Sequence, residues 1–217
     1  AFYDYPAKSL HVTALTGTKG KTTTAYYLQS MLDACLKKQG GNGCALLSSI
    51  EYYDGKTREA STLTTPESLE LCRHMRNAVD AGLSHMVMEV SSQGLMLHRT
   101  AGFTFDIGIF TNIEPDHIGP NEHASFEDYL QCKAKLFQKC RLGIVNADDA
   151  HVAEILKNHT CKVQSYGFSE QADICAKDMK LVRKGGHLGV SYHVSGLVNG
   201  DIETSVPGRF SVYNSLT

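Results

Sequence analysis

The sequence lacks the features that mark membrane, secreted or nucleic-acid-binding proteins. No apolar run approaches the ~20 residues that a membrane-spanning helix needs, and no signal peptide is recognised at its start. The formal net charge of −2 gives no overall basic field that would attract nucleic acid. Prolines number only 5, and no repeat or low-complexity segment is present. We therefore expect a globular cytoplasmic protein with no membrane span and no nucleic-acid partner.

The cysteines also lack a recognisable arrangement, because they form no Cys-x-x-Cys pair and their number is odd. They lie at Cys35, Cys44, Cys72, Cys132, Cys140, Cys161 and Cys175. This pattern is typical of a reduced cytoplasmic protein whose thiols are packed in its interior. A chain of 217 residues fits one large domain or one and a half small ones. It buries roughly 70% of the surface that its unfolded form exposes, so it needs no cross-links.

Short apolar runs alternate with longer amphipathic ones from residue 10 to residue 166. Strands are predicted at 11–16, 44–50, 85–91, 106–112 and 142–147, and a helix is predicted at 21–39 with Gly40-Gly41 as its stop. Asp54-Gly55 indicates a tight hairpin. A second helix is predicted to begin with Thr65 as N-cap and Pro66 at its first position. Its buried stripe would comprise Leu69, Cys72, Met75 and Val79.

After about residue 160 the pattern changes to strands separated by glycine turns. Strands are predicted at 161–168, 180–183, 188–195 and 201–206, with turns at Gly185-Gly186 and Asn199-Gly200. The expected fold is a P-loop-type α/β domain, a mostly parallel sheet with helices on both faces, at about 8–160. A small antiparallel sheet at about 161–206 would be appended to it.

The strongest local motif is the segment TGTKGKTTT at 16–24, which lies between a predicted strand and a predicted helix. Its glycines allow backbone N–H groups to approach phosphates, and the helix N-terminus adds its dipole. We predict that Lys21 reaches the terminal phosphates of a nucleotide and that Thr22 offers its hydroxyl to Mg²⁺. Leu15 stands where the general P-loop pattern has glycine, so the motif is the shorter Gly-x-x-Gly-Lys-Thr. The predicted nucleotide-binding residues of this loop are Gly17, Thr18, Lys19, Gly20, Lys21, Thr22 and Thr23.

A strand-to-helix turn without a ligand is the alternative for this loop, and the loop alone names no reaction, since GTPases, kinases and ligases share it. Seven further motifs follow in order: TTPE (64–67), MEVSSQGL (88–95), HR (98–99), FTNIEPDH (110–117), YLQCKAKLF (129–137), VNADD (145–149) and PGRFSVYN (207–214). Across nearly the whole chain this series resembles the central ATP-binding domain of the Mur ligase family. Thr64-Thr65-Pro66 and Glu89-Val90-Ser91-Ser92 are most similar to the UDP-N-acetylmuramoyl-tripeptide synthetase (MurE) type.

Glu89 lies near the carboxyl end of an apolar strand, where an open α/β sheet presents its ligand crevice. A carboxylate there suits Mg²⁺, and a hydrogen-bonded structural glutamate is the alternative. The resemblance makes His117 a second metal-side and catalytic residue, although a lone histidine is more often structural or exposed. Asn112 is expected to line the same nucleotide crevice.

Lys133 is expected to lie in the apolar stripe of a helix that Ser125 and Asp128 begin as a capping box. At ~100° per residue it shares a face with Phe126, Leu130 and Phe137, whereas Lys135 faces water. A desolvated lysine loses basicity and can react as a free amine. The resemblance implies that Lys133 is carbamylated by CO₂ and helps to hold a second Mg²⁺. A lysine that only extends its amine to the surface at the stripe's edge is the alternative.

The resemblance places a substrate site at Thr64, Thr65, Ser91 and Arg99, and an adenine contact at Asn146. A planar guanidinium can clamp an anion, but a surface arginine is the alternative for Arg99. Asp148 could merely cap the next helix. The chain departs from the family at Lys19, where asparagine is usual, and at Gln93, where histidine is common. It also carries two extra residues near 119–123, which aligns His123 with a family histidine only loosely.

The resemblance implies the middle part of a three-part enzyme. A UDP-binding N-terminal domain and an amino-acid-binding C-terminal domain would be absent from residues 1–217, and a monomer is expected. The implied reaction joins an amino acid to a UDP-muramoyl peptide with ATP, two Mg²⁺ ions and an acyl-phosphate intermediate. Another Mur ligase, a folylpolyglutamate-synthase-like ligase and a non-catalytic ATP-binding module remain as alternatives.

Overall fold

A computed structural model describes residues 2–116, 118–120 and 122–217, and for Lys184 the backbone only. Within these residues, eleven strands form one sheet. They are β1 (His11–Thr16), β2 (Cys44–Leu47), β3 (Glu51–Tyr53), β4 (Arg58–Ala60), β5 (His85–Glu89), β6 (Phe105–Phe110), β7 (Cys140–Asn146), β8 (Lys162–Gly167), β9 (Ile174–Lys184), β10 (His187–Gly196) and β11 (Gly200–Thr204). Their order across the sheet is β11-β10-β9-β8-β7-β6-β1-β5-β2-β3-β4.

The described helices are α1 (Lys21–Lys38), α2 (Ser68–Asp80), α3 (Ser92–Met96), α4 (Phe126–Ala134), α5 (Val152–Ile155) and α6 (Arg209–Leu216), with short 3-10 turns at Pro6–Ser9 and Lys135–Gln138. Helices cover both faces of the sheet, as neighbouring residues of β1 show. Ala14 packs into the cluster that includes residues of α2 and α4, whereas Leu15 packs with Ala25 of α1. This confirms the predicted layering and explains why β1 and β2 are buried almost throughout. No described helix has both the length and the hydropathy to cross a membrane.

The parallel strands end at a common edge, and this register positions the functional residues. Leu15 of β1 is paired with Glu89 of β5 on one side and with Ile109 of β6 on the other. The loop that follows β1 therefore emerges beside the ends of β5 and β6. In an open α/β sheet this carboxyl edge is where ligands bind.

Strands β9, β10 and β11 are antiparallel to one another, as predicted, but they extend the main sheet and do not form a separate one. Helix α6 covers them, and Val190 and Val194 pack against Val212 and Leu216. The prediction that the antiparallel part begins near residue 161 is wrong. Strand β8 runs parallel to both β7 and β9, so it belongs to the parallel core.

The predicted start of α2 is also wrong. The helix begins at Ser68 after Glu67, because the Thr65 hydroxyl is used elsewhere and caps no helix. The buried face is shifted as well, and comprises Leu71, His74, Met75 and Ala78. Leu69 is 65% exposed.

Two turns shape the chain between β2 and β4. Strand β2 ends at Leu47, since the Ser48 hydroxyl accepts hydrogen bonds from the N–H groups of Ile50 and Glu51 and turns the chain into β3. The predicted hairpin is confirmed between β3 and β4. Its Asp54 carboxylate is buried and accepts from the N–H groups of Lys56 and Thr57.

Helix α4 begins as predicted, with the Ser125 hydroxyl accepting from the Asp128 N–H. It ends at Ala134, where the chain tightens into the 3-10 turn, so an ideal helical wheel does not extend to Phe137. Lys135 is half-buried in that turn. All seven cysteines are free, and four of them, at Cys44, Cys132, Cys140 and Cys175, are buried as expected for packed thiols.

Candidate functional site: a glycine-rich loop beside two lysines

The loop between β1 and α1 requires glycine at two positions. Gly17 has φ 148°, and a Cβ atom there would overlap the Thr111 hydroxyl. Gly20 has φ 85° and precedes the first residue of α1. Both backbone conformations are rare for other residues. The glycines of the motif therefore shape the turn that brings the chain to the helix N-terminus.

The end of β6 braces this loop from the side. Thr18 N–H donates to the Asn112 carbonyl, at 2.9 Å. The Asn112 side chain accepts from Lys19 N–H and donates to the Lys19 carbonyl, each at 2.9 Å. Thr18 Oγ1 accepts from Glu114 N–H and lies 3.0 Å from the Tyr129 hydroxyl. Asn112 thus lies beside this loop, and its amide supports the loop backbone.

Replacing Gly17 with alanine should disrupt this loop. Strain of this kind costs about 1–3 kcal/mol, and the added Cβ must displace Thr111. We expect Mg-ATP affinity, measured by isothermal titration calorimetry, to fall by about tenfold or more. Gly200→Ala is the matched control, because a Cβ there has no heavy atom within 4 Å among the described residues. Equal affinities of the two variants would contradict the assigned role of the loop.

Two lysine amines meet at the Gly17 carbonyl. Lys21 Nζ donates to it at 2.9 Å and to the Thr18 carbonyl at 3.2 Å. Lys133 Nζ donates to the same Gly17 oxygen at 2.9 Å and lies 4.4 Å from the centre of the Tyr129 ring. The predicted burial of Lys133 is confirmed, with 2% of the residue exposed.

The surroundings of these two amines lower the pKa of both. Burial lowers the pKa of Lys21, although the Glu89 charge opposes the shift. Burial also holds the pKa of Lys133 well below its usual range, and the nearby Lys21 charge lowers it further. A larger fraction of the Lys133 amine is therefore neutral than for a lysine in water. The neutral amine is the state that reacts with CO₂.

Oxygen donors suited to a divalent cation lie at the start of α1. Glu89 is fully buried, and its Oε1 accepts from Ser49 N–H at 2.9 Å. The Ser49 hydroxyl lies 2.9 Å from Thr22 Oγ1 and 3.3 Å from Glu89 Oε1. Glu89 Oε2 is buried with no hydrogen-bond partner among the described residues. A buried carboxylate oxygen left free beside two hydroxyls fits a hard cation such as Mg²⁺.

Ser49 was not among the sequence-predicted site residues. It follows β2 at the same edge of the sheet as Glu89, so its strand-end position is the signal that could have identified it. His117, the predicted second metal-side residue, lies outside the described residues.

A polar cavity of about 170 Å³ adjoins the two lysines. It brings together five of the predicted site residues with three that were not in that set. The lining comprises Lys21, Leu63, Thr64, Ser91, Ser92, Gln93, Arg99 and Lys133. Residues from four separate segments of the chain thus surround one space of the size of a small ligand group.

Arg99 lines this cavity, and Thr65 lies behind it. The Thr65 hydroxyl is buried, donates to the Glu89 carbonyl at 3.2 Å and accepts from Ser91 N–H at 2.9 Å. Arg99 donates to the Thr65 carbonyl at 3.1 Å and pairs with Glu67 at 2.7 Å. The Arg99 side chain is 10% exposed, so a free surface arginine is ruled out. Thr65 supports the cavity from behind and is not one of its lining residues.

The two remaining residues predicted to bind the nucleotide, Thr23 and Asn146, do not line the polar cavity. Thr23 is exposed on the first turn of α1. Asn146 is buried; its amide donates to the Thr111 carbonyl and accepts from Asp148 N–H. Asp148 caps no helix, because its carboxylate binds the N–H groups of Phe168 and Ser169 and the Tyr213 hydroxyl.

A mostly parallel sheet with a phosphate-type loop at its carboxyl edge defines a P-loop α/β domain. The chain belongs to the Mur ligase family, since the Mur ligase middle domain matches residues 15–217. The family prediction is thereby confirmed.

Curated relatives include the UDP-N-acetylmuramyl-tripeptide synthetase of Lactobacillus acidophilus, which is 51% identical over 71% of this chain and 29% of its own length. The enzyme of the same name from Lactococcus lactis subsp. cremoris is 41% identical over 99% of this chain and 42% of its own length. This chain therefore spans less than half the length of these relatives.

Solved structures show the same fold at lower identity. A UDP-N-acetylmuramoyl-L-alanyl-D-glutamate--2,6-diaminopimelate ligase has a TM-score of 0.78 at 24% identity, covering 95% of this chain and 42% of that one. A Mycobacterium tuberculosis folylpolyglutamate synthase complexed with ADP has a TM-score of 0.69 at 15% identity, covering 99% of this chain and 54% of that one. The mostly parallel architecture is thus common to the wider group of ligases.

Proposed function

We propose that this chain is the ATP-binding middle part of a cytoplasmic, monomeric ligase that adds an amino acid to a UDP-N-acetylmuramoyl peptide. The observation that carries the proposal is the meeting of Lys21 and Lys133 at the Gly17 carbonyl, beside a cavity lined by Thr64, Ser91 and Arg99. This arrangement places a phosphate loop directly next to a polar space for an acid substrate. The tripeptide synthetase names of the relatives support the same substrate class.

In the proposed reaction, a substrate carboxylate oxygen attacks the γ-phosphorus of ATP and the bond to the bridging oxygen of ADP breaks. The amine of the incoming amino acid then attacks the acyl carbon, and phosphate leaves with its electron pair while the amine loses a proton. Little covalent work falls to the protein in phosphoryl transfer, so positioning and charge stabilisation dominate. Flanking segments like those of the relatives would hold the uridine diphosphate and select the amino acid.

The roles of the loop residues follow from their positions. Backbone N–H groups of the loop, from Gly17 to Thr23, would hold the phosphates. Lys21 would turn from the Gly17 and Thr18 carbonyls towards the γ-phosphate. Thr22 and Glu89 would hold a Mg²⁺ ion, with Ser49 orienting both side chains. When bound, Mg²⁺ neutralises charge on the phosphate oxygens. Asn146 would contribute near the adenine, where its amide is already fixed by Thr111.

Lys133 is proposed to carry a carbamate. Its neutral amine would form an N–C bond with CO₂ and release one proton, which leaves an anionic group in place of a cation. That anion would face Lys21 and, together with His117, hold a second Mg²⁺ ion. The buried position of Lys133 and its depressed pKa support this proposal.

The substrate side of the cavity is proposed to bind the muramoyl peptide. Arg99 is held by Thr65 and Glu67 in one orientation, which suits the capture of a carboxylate or phosphate. Thr64 and Ser91 would add hydroxyl contacts. Gln93 also lines the cavity. Its amide would therefore contact the substrate where the family commonly has a histidine.

We expect the 217-residue chain to bind Mg-ATP weakly and to form no amide bond alone. A polypeptide that also contains the flanking segments found in the relatives, called here the complete ligase, should release phosphate when given ATP, UDP-N-acetylmuramoyl-L-alanyl-D-glutamate and an amino acid. Mass spectrometry of the product checks that one residue has been added.

Two controls make this test specific. Folate substrates in place of the muramoyl peptide should give no phosphate release, which separates the proposal from a folylpolyglutamate-synthase-like activity. Ligation by the 217-residue chain alone, or no substrate-dependent phosphate release by the complete ligase, would contradict the proposal.

A further inference from the structure

A second group of potential metal ligands lies at the beginning of α4, away from Thr22 and Glu89. It comprises His123, just before the helix, and Asp128 and Cys132 on the helix itself. Asp128 and Cys132 are four residues apart, so their side chains lie on the same helix face. His123 lies beside that face, and its carbonyl accepts a hydrogen bond from Gly119 N–H.

The distances between the three side chains fit a single small ion. His123 Nδ1 lies 3.0 Å from Asp128 Oδ2, and Cys132 Sγ lies 3.9 Å from Asp128 Oδ1. One ligand atom from each residue falls within 4.8 Å of the others. In a tetrahedral zinc site the ligand atoms are about 3.3–3.7 Å apart, given bond lengths of about 2.0–2.3 Å. Small rotations of these side chains would bring all three donors into that range.

The donor types and their burial select the kind of metal. Nitrogen, oxygen and sulfur donors together suit Zn²⁺, whereas Mg²⁺ and Ca²⁺ prefer oxygen alone. His123 and Cys132 are buried, and the Asp128 side chain is 43% exposed. An ion could therefore enter past Asp128 and keep a water molecule as its fourth ligand.

A comparison within the same protein shows why this group is suitable. Glu59, Glu70 and His74 also lie close together. There, however, the Arg73 guanidinium is 3.0 Å from Glu59 and 3.2 Å from His74 Nε2, so a cation already occupies the middle of the group. No described lysine or arginine makes an ion pair with Asp128 in the first group.

We propose that His123, Asp128 and Cys132 bind one Zn²⁺ ion. On binding, the Cys132 thiol releases its proton to solvent and the hydrogen bond between His123 and Asp128 breaks. One donor atom of each of the three residues then bonds to the metal. The ion ties His123 to the helix that carries Lys133. This site is independent of the proposed ligase activity, because it shares no residue with the nucleotide loop or the polar cavity.

Cobalt titration of the metal-free chain tests the proposal directly. Co²⁺ takes zinc sites, and a bound thiolate gives an intense thiolate-to-cobalt charge-transfer band in the near ultraviolet. We expect this band to saturate at one equivalent of Co²⁺ and to disappear when Zn²⁺ is added. Cys132→Ser should abolish the band and weaken Zn²⁺ binding, measured by calorimetry, at least tenfold. Cys35→Ser, which alters an exposed cysteine elsewhere, should leave both unchanged.

Cys132→Ser could lose Zn²⁺ binding through a folding defect, so a second variant, Asp128→Asn, tests the loss of a ligand by itself. This variant changes a partly exposed side chain of the same shape, and its circular dichroism spectrum should match that of the unaltered chain. It should lose the rise in melting temperature that Zn²⁺ gives the unaltered chain, since only a folded-state ligand stabilises. No charge-transfer band, or equal Zn²⁺ affinity in Cys132→Ser and Cys35→Ser, would overturn the proposal and leave the three residues as a hydrogen-bonded cap of α4.

Discussion

Lys133→Ala is expected to reduce the turnover of the complete ligase by at least ~10², the scale on which preorganised electrostatic groups act. Lys133 is buried, its amine contacts the loop at Gly17, and its side chain lines the polar cavity. Lys135, two residues on, begins the 3-10 turn and lines neither the loop nor the cavity. Lys135→Ala should therefore retain nearly full turnover in the same phosphate-release assay.

The chemical state of Lys133 can be tested separately. In ¹³C-labelled carbonate, a carbamate carbon signal should appear in the unaltered enzyme and in Lys135→Ala, and it should be missing in Lys133→Ala. Short-chain carboxylates should partly restore the activity of Lys133→Ala by placing an anion in the space left by the side chain. A fully active Lys133→Ala enzyme would show that neither the amine nor its carbamate takes part.

Lys21→Ala should lower kcat of the complete ligase by ~10² or more, because the amine stabilises charge that develops on the transferring phosphoryl group. The affinity for ATP should fall less, since the loop backbone still holds the phosphates. Lys38→Ala, at the exposed end of the same helix, is the matched control. Turnover close to that of the control would mean that the loop after β1 has been assigned the wrong role.

Local sequence signals predicted most of the parallel core. The strands around Leu15, Val87 and Ile109 are apolar because helices cover both of their faces, and such runs are recognisable without any structure. Gly20-Lys21 between a strand and a helix likewise predicted a phosphate-binding loop at this position. Burial of Lys133 followed from helical periodicity, since it shares a face with Leu130.

The sequence-based predictions were wrong where a tertiary contact overrides a local preference. Thr65-Pro66 has the composition of a helix start, yet the Thr65 hydroxyl is bound by Ser91 and Glu89, so the helix begins later. Leu69 fits the predicted stripe but is exposed because His74 is drawn inward by the buried Asp54 carboxylate. The parallel pairing of β8 with β9 joins segments whose local patterns do not reveal strand direction.

The composition of the site could be predicted in part, but its geometry could not. Lys133 and Gly17 are separated by 116 positions, and the pairing of β1 with β6 brings the loop after β1 close to the segment that carries α4. The pairing of β2 with β5 places Ser49 between Thr22 and Glu89. Motifs specify which residue types are available, whereas pairing of distant strands decides which of them meet.

The proposed nucleotide site can be tested by a crystal structure of the complete ligase with Mg²⁺ and a non-hydrolysable ATP analogue. We expect the phosphates on the loop from Gly17 to Thr23, with Lys21 Nζ moved from the Gly17 carbonyl to the γ-phosphate. We also expect Mg²⁺ coordinated by Thr22 or by the free Oε2 of Glu89, and the γ-phosphate facing the cavity that Arg99 and Lys133 line. A nucleotide bound elsewhere, or one whose γ-phosphate points away from that cavity while Lys21 remains on the Gly17 carbonyl, would contradict the proposed site.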